Sequence, residues 1–295
     1  MILKSLIKRN TKLFFKDKGM FFTALITPLI LLVLFFTFLG NVYRDTFVSA
    51  IPEGLIVPDG LLDGIVGGQL LSSLLSVSCV TVAFCSNLLM VTDKVTGARK
   101  DLTVSPVKAS TLALSYYIST AAVTLIICFV AMIAGFGYLS ATGWHLSLTD
   151  VILTVLDTFV LSLFGTALSS VVCSFLSTQG QISAVGSIVS AGYGFISGAY
   201  MPISQFSDGI QKVITCLPGT YGTGLMRNHL MATPVAKLKD YGVPEEVCEI
   251  LKDLTDCNIY FFGTKVDESA MYAILGVTVV LLITALIFVT KRKNS

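Results

Sequence analysis

Charge is scarce in this sequence. Only 13% of its 295 residues are Asp, Glu, Lys or Arg, while 54% are hydrophobic, which excludes an ordinary soluble domain with a fully solvated surface. Histidine occurs twice and tryptophan once. There is no GxxxxGK[ST] phosphate loop, so the chain is not expected to hydrolyse ATP by itself, and no HExxH or GxSxG pattern offers a hydrolytic centre. No cysteine pair has the CxxC or His-associated spacing of a zinc site, so neither a metal nor a cofactor of its own is expected. A net charge of +2 supplies no field for nucleic acid.

The sequence is instead rich in long apolar runs. They fall at about 20 to 40, 68 to 92, 112 to 140, 149 to 176, 182 to 202 and 269 to 290, each long enough for a hydrocarbon core of ~30 Å. The expectation is an all-α integral membrane protein with six transmembrane helices, and six spans put both termini on one side. Thirteen of the 20 basic residues precede the first run, lie between the second and third, or follow the last. By the positive-inside rule that side is cytoplasmic, in a multi-pass protein of the cell membrane. A cleaved signal peptide fits the N-terminus poorly, because its apolar stretch is too long and follows an 18-residue basic segment.

That segment, residues 1–18, places Lys4, Lys8, Lys12 and Lys16 on one helical face, with Leu3, Ile7 and Phe14 near another. It is expected to be an amphipathic interfacial helix on membrane lipid. The remainder, 19–295, forms the six-span domain. Its loop 93–111 gathers Asp93, Lys94, Arg99, Lys100, Asp101 and Lys108 between two apolar runs, which suits a polar partner.

In the fifth run Gly186, Ser190, Gly194 and Gly198 recur every four residues. Such a ladder lets backbones approach closely in lipid, against another helix or a symmetry mate. From Pro202, the segment PISQFSDGIQKVITCLPG has helical spacing but stops at Pro218 and Gly219, too short to span and too apolar for a free loop. An external re-entrant helical hairpin between spans five and six is expected, followed by a small polar cap to residue 268, with Pro244 at a helix start. Asp157, eight residues into the fourth run, is costly in lipid. A structural hydrogen-bonded role and a place in a translocation path both remain open. Cys248 and Cys257 share the polar cap and form a candidate disulfide.

Three stretches together resemble the permease subunits of type-2 ABC exporters. They are the basic segment before the first span, the loop carrying Asp93, Gly97, Ser105, Pro106 and Val107, and SGAYMPISQFSDGIQKVITCLPGTYGTGLMRNHLM ending near Arg227. Where such proteins often read Gly-Thr-Leu-Glu, this chain reads Gly97, Ala98, Arg99, Lys100, so an acidic position is basic. The resemblance implies that Asp93, Gly97, Arg99, Lys100, Asp101, Ser105 and Pro106 form a coupling element seated on a separate cytoplasmic ABC ATPase. That partner would bind ATP and Mg, and a second permease would complete a homodimer or heterodimer. It implies export of an amphipathic substrate such as a drug, a lipid-like molecule or a peptide. A secondary transporter or channel, or a non-transporting sensor component, is the alternative from the residues alone.

Overall fold

The computed structural model describes residues 2–104 and 107–292; Ser105 and Pro106, expected in the coupling loop, lie outside the described residues. The architecture is helical, with one two-residue hairpin as its sheet. Helix α1 (Ile2–Lys16) buries Leu6, Asn10 and Phe14, four residues apart, and leaves Lys4, Lys8, Lys12 and Lys16 exposed. The amphipathic helix is as expected, but its inward face is one residue off the expected Leu3 and Ile7, and that face lies on protein. Phe14 sits with Val82, Val123 and Ile127.

Asp17 caps α2 (Lys18–Leu34) by accepting from the Met20 N–H at 3.1 Å. Pro28 interrupts this helix, and a π-turn at Phe35–Leu39 leads to α3 (Gly40–Ala50). A missing N–H and a widened turn both bend a helix. α4 (Asp59–Val95) is a 37-residue rod and almost wholly buried. Arg44 of α3 pairs with Asp59 and Asp63 at its start.

Gly97 then turns the chain with φ +83, a region that favours glycine, into the short α5 (Ala98–Val104). α6 (Ala109–Thr142) and α7 (Leu148–Phe175) follow. α7 starts at a capping box: the Asp150 N–H donates to Ser147 Oγ, and the Ser147 N–H donates to Asp150 Oδ2. α8 (Gln179–Ile196) starts at a second, built from Thr178 and Gln181.

Among the described residues, five helical stretches are long and apolar enough to cross a membrane: Lys18–Ala50, Asp59–Val95, Ala109–Thr142, Leu148–Phe175 and Glu268–Thr290. They match five of the six expected runs. The run at 182–202 becomes α8, whose two glutamines and four glycines leave it short of that standard. It stops at Ile196 because Gly198 takes φ +71. The four-residue ladder is therefore broken. Gly186, Ser190 and Gly194 share α8, but Gly198 lies in the turn beyond it. The ladder's contacts are within the chain: Thr27 Oγ1 donates to the Ser190 carbonyl at 3.3 Å, and the Tyr200 ring covers Gly194.

After α8 come α9 (Asp208–Thr215) and α10 (Pro218–Lys237), the latter opening on proline at its first turn. α10 lies against α4, α7 and the last helix, α12 (Glu268–Arg292). The cap comprises α11 (Glu245–Leu254), with Pro244 as N-cap, and the hairpin β1 (Tyr260–Phe261) and β2 (Thr264–Lys265), with Tyr260 opposite Lys265. Its underside is apolar: Val243, Cys248, Leu251 and Cys257 join Leu61, Leu62 and Ile65 in one core.

The candidate disulfide is not formed. Cys248 and Cys257 are buried free thiols with separate partners, the Val235 carbonyl at 3.7 Å and Thr255 Oγ1 at 3.3 Å. Where α4 crosses α7, a Cβ on Gly165 would stand 2.5 Å from the Cys79 carbonyl oxygen, so glycine permits the closest approach of the two rods.

Candidate functional site

Two polar clusters stand at opposite ends of α4. The first is at the basic end, where α4 gives way to α5. Asp93 was expected in the loop and open to a partner. It lies instead in the last turns of α4 and is buried. Arg9 of α1 grips it with both guanidinium nitrogens, Nη1 to Oδ2 at 2.7 Å and Nη2 to Oδ1 at 3.1 Å. The Tyr116 hydroxyl of α6 donates to the same Oδ2 at 2.5 Å. A forked charge-assisted pair fixes both orientation and distance, and it holds the Arg9 guanidinium above its ordinary pKa.

Beside it, Lys94 Nζ donates to the Cys173, Ser174 and Leu176 carbonyls at 3.0, 3.1 and 3.0 Å. These are carbonyls of the last turn and C-cap of α7, where few intrahelical donors remain, and an ammonium there also complements the helix dipole. About two turns deeper, Asn87 Nδ2 donates to Ser169 Oγ at 3.2 Å and Ser170 Oγ at 2.8 Å. Consecutive residues of α4 thus clasp α1, α6 and α7.

From this clasp α5 projects outward. Lys100, Asp101 and Val104 are exposed, Val104 at 88%. Arg99 is half-buried and faces a groove formed with Tyr116, Ser174 and Leu286. Of the expected coupling residues, then, Lys100 and Asp101 are presented at the surface, Gly97 is the hinge, and Asp93 is the anchor. Sequence reasoning did not find Arg9 or Tyr116, because a contact spanning 84 positions leaves no local spacing to read.

The second cluster lies toward the cap. Asp157 is 2% exposed. His229 Nδ1 lies 2.5 Å from its Oδ2, and the Tyr272 hydroxyl donates to its Oδ1. His229 Nε2 faces Glu268 Oε2 at 3.7 Å. The set joins α7, α10 and α12. His229, expected in an outer loop without a role, is instead a buried partner of Asp157.

Two residues before His229 along α10, Arg227 is 1% exposed. Its Nη1 donates to Asp256 Oδ2 at 2.9 Å and its Nη2 to the Gly198 carbonyl at 2.6 Å. The same Asp256 oxygen accepts from the Ile203 N–H at 2.8 Å. Burial pushes the Asp256 carboxyl up to about 6 in spite of the guanidinium beside it. Arg227 therefore ties α10 to the cap and to the turn that follows α8. Pro202 and Pro218 mark the ends of that turn region.

A third feature lies between α2, α4 and α8 at the basic end, a groove of about 660 Å³ with a mixed lining that includes Thr23, Ile26, Leu88 and Ser187.

The profile of the family described as ABC-2 family transporter protein matches residues 58–290. No curated protein matches the chain.

Proposed function

From the premise that the chain belongs to the ABC-2 family of transporter membrane proteins, we propose that it is the permease of an ATP-driven exporter, coupled to a separate ATPase subunit through α5. The family makes it the transmembrane component of an ABC transporter. The observation that carries the finer reading is the pairing of an exposed short helix with the buried clasp immediately before it. A push on α5 reaches Asp93 and Lys94 within a few residues, and from there α1, α6 and α7 through bonds that fix direction. ATP and Mg belong to the partner. Its ATP-bound closed state supplies the bias between inward- and outward-open arrangements.

In this reading α8 is the fifth of six spans, and α9 with α10 is a re-entrant pair. Support comes from α10, whose buried His229 meets Asp157 of α7 and whose buried Arg227 meets Asp256 of the cap. The basic end is cytoplasmic by the positive-inside rule, with both termini there. A second permease would lie against the exposed face of α8, where Ile188 and Phe195 project. The mixed groove of about 660 Å³ between α2, α4 and α8 suits an amphipathic cargo, a drug, lipid-like molecule or peptide.

The test is coupling. Proline at position 97 is incompatible with φ +83 and costs about 3 kcal/mol locally. Gly97→Pro and Lys100→Glu should both insert normally and lose substrate-stimulated ATP hydrolysis in the reconstituted complex. Wild-type stimulation in both would reject α5 as the coupling element. The buried Asp157, His229 and Tyr272 set favours a second reading, a secondary transporter using ionisable groups at depth. Cargo movement in vesicles that lack any ATPase would establish that reading instead.

A further inference from the structure

Span one packs on span two but leaves a space toward span three. Between α2, α4 and α6 lies a cavity of about 570 Å³, bordered by Leu25, Leu29 and Leu32 of α2, Leu74 of α4, and Val130 and Ala134 of α6. Pro28 lines it and the π-turn at Phe35–Leu39 follows, and a proline and a π-turn are the features at which helices bend. The outer rim is open, for Leu29, Val130 and Ala134 are exposed.

What fills this space is limited by its surroundings. The lining helices are three of those long and apolar enough to span a membrane, so the cavity opens sideways into hydrocarbon. Apolar cavities of this kind stay dry, and an empty one forfeits the dispersion contacts of every wall. From Ile126 to Tyr138 along α6 the cavity runs about 18 Å at 1.5 Å per residue. That is a little over half the ~30 Å hydrocarbon core, the reach of one leaflet's acyl chain.

Its two ends differ. Phe36 and Tyr138 stack edge to face at one end, with ring centroids 5.9 Å apart. At the other, Phe15 and Phe21 flank the opening with centroids 6.1 Å apart, and the exposed Lys12, Lys16 and Lys18 stand beside them in the chain. An apolar slot one chain long with ammonium groups at one mouth matches a lipid with an anionic head.

We propose that this cleft is a binding site for a single anionic phospholipid, its acyl chain between α2 and α6 and its phosphate among Lys12, Lys16 and Lys18. The site would fasten span one, which has little protein around it, to the rest of the bundle. The inference needs only that the chain lies in a membrane, and it stands or falls separately from ATP coupling.

The test uses the full chain reconstituted into vesicles of equal dioleoyl phosphatidylglycerol and dioleoyl phosphatidylcholine. The protein is then extracted in mild detergent and weighed by native mass spectrometry. Wild type should retain one phosphatidylglycerol in preference to phosphatidylcholine. Ala134→Phe, at an exposed position where the helix tolerates the ring, should fill the slot and release it. Ala131→Leu serves as a second, smaller filling should the first fail to fold. Lys16→Gln with Lys18→Gln should keep a bound lipid but lower the phosphatidylglycerol preference about tenfold. Equal retention of the two lipids by wild type would overturn the proposal. So would a filled variant that folds and holds phosphatidylglycerol as wild type does, or an unchanged preference in the double lysine variant.

Discussion

Two buried carboxylates at different levels of the bundle, Asp256 and Asp93, are held by arginines in different surroundings. Toward the cap, Arg227 and Asp256 are sealed from water at 1% and 4% exposure, and each has a further bond to backbone. At the basic end, the Arg9 side chain that grips Asp93 is 30% exposed, and Lys94 holds carbonyls rather than a carboxylate. A sealed ion pair has no substitute when one partner leaves, because the survivor keeps its desolvation penalty. In the other pair Asp93 is also buried, but Arg9 reaches solvent and the Tyr116 hydroxyl is a second donor to the carboxylate.

The comparison can be broken most forcefully at Arg227. Arg227→Ala would strand the Asp256 carboxylate, and the expected loss is about 3–5 kcal/mol, read as a lowered unfolding midpoint of the detergent-solubilised protein. Replacing both by apolar residues, Arg227→Met with Asp256→Leu, should recover most of it. A double variant no better than the single would mean that the bonds to Gly198 and Ile203 hold the region, not the charges.

Next in size is a pH effect at the same pair. The folded Asp256 carboxyl titrates at about 6, against ~3.9 in an unfolded chain. The folded state therefore binds this proton more tightly. The group's contribution to stability is complete below about pH 4 and is lost as pH rises through 6, a change of about 3 kcal/mol at most. Relative to Asp256→Asn, wild type should lose stability between pH 4 and 7 and run parallel above that. Parallel curves throughout would show that the carboxyl is not shifted.

The smallest effect is expected at the basic end. Arg9→Ala should cost less stability than Arg227→Ala, since only the arginine of this pair reaches solvent and the Tyr116 hydroxyl still donates to the buried Asp93, yet it should lower ATPase stimulation by cargo. A stability loss as large as that of Arg227→Ala would erase the distinction between the two pairs.

Much of this was legible in the sequence. Apolar runs found five of the long helices, because lipid-facing and core-facing positions are both apolar and the signal needs no partner. The amphipathic α1, the helix start at Pro244 and the punctuation at Pro218 were also readable, since they depend on neighbours in sequence. The fifth run was legible only in part. Its glycines imitate a close-packing ladder, but Gly198 has the backbone freedom to end the helix before the ladder is complete. The polar clusters were beyond reach for a different reason. Asp157 meets His229 across 72 residues and Tyr272 across 115, and Arg9 meets Asp93 across 84. Only the fold brings these together, and an isolated histidine in a polar stretch gives no sign that it will be buried. The cost of a carboxylate in an apolar run was the one usable clue, and it pointed to Asp157 without naming its companions.

The length of α4 has a mechanical consequence. At 1.5 Å per residue its 37 residues reach about 55 Å, well past both faces of a bilayer core. It touches α7 most intimately at Gly165, near its midpoint, where the missing side chain allows two backbones to bear on one another. A stiff beam resting on such a fulcrum works as a lever. In the coupling proposed above, a tilt imposed at Asp93 would swing the Arg44-bound start of the helix the opposite way and carry the cap with it.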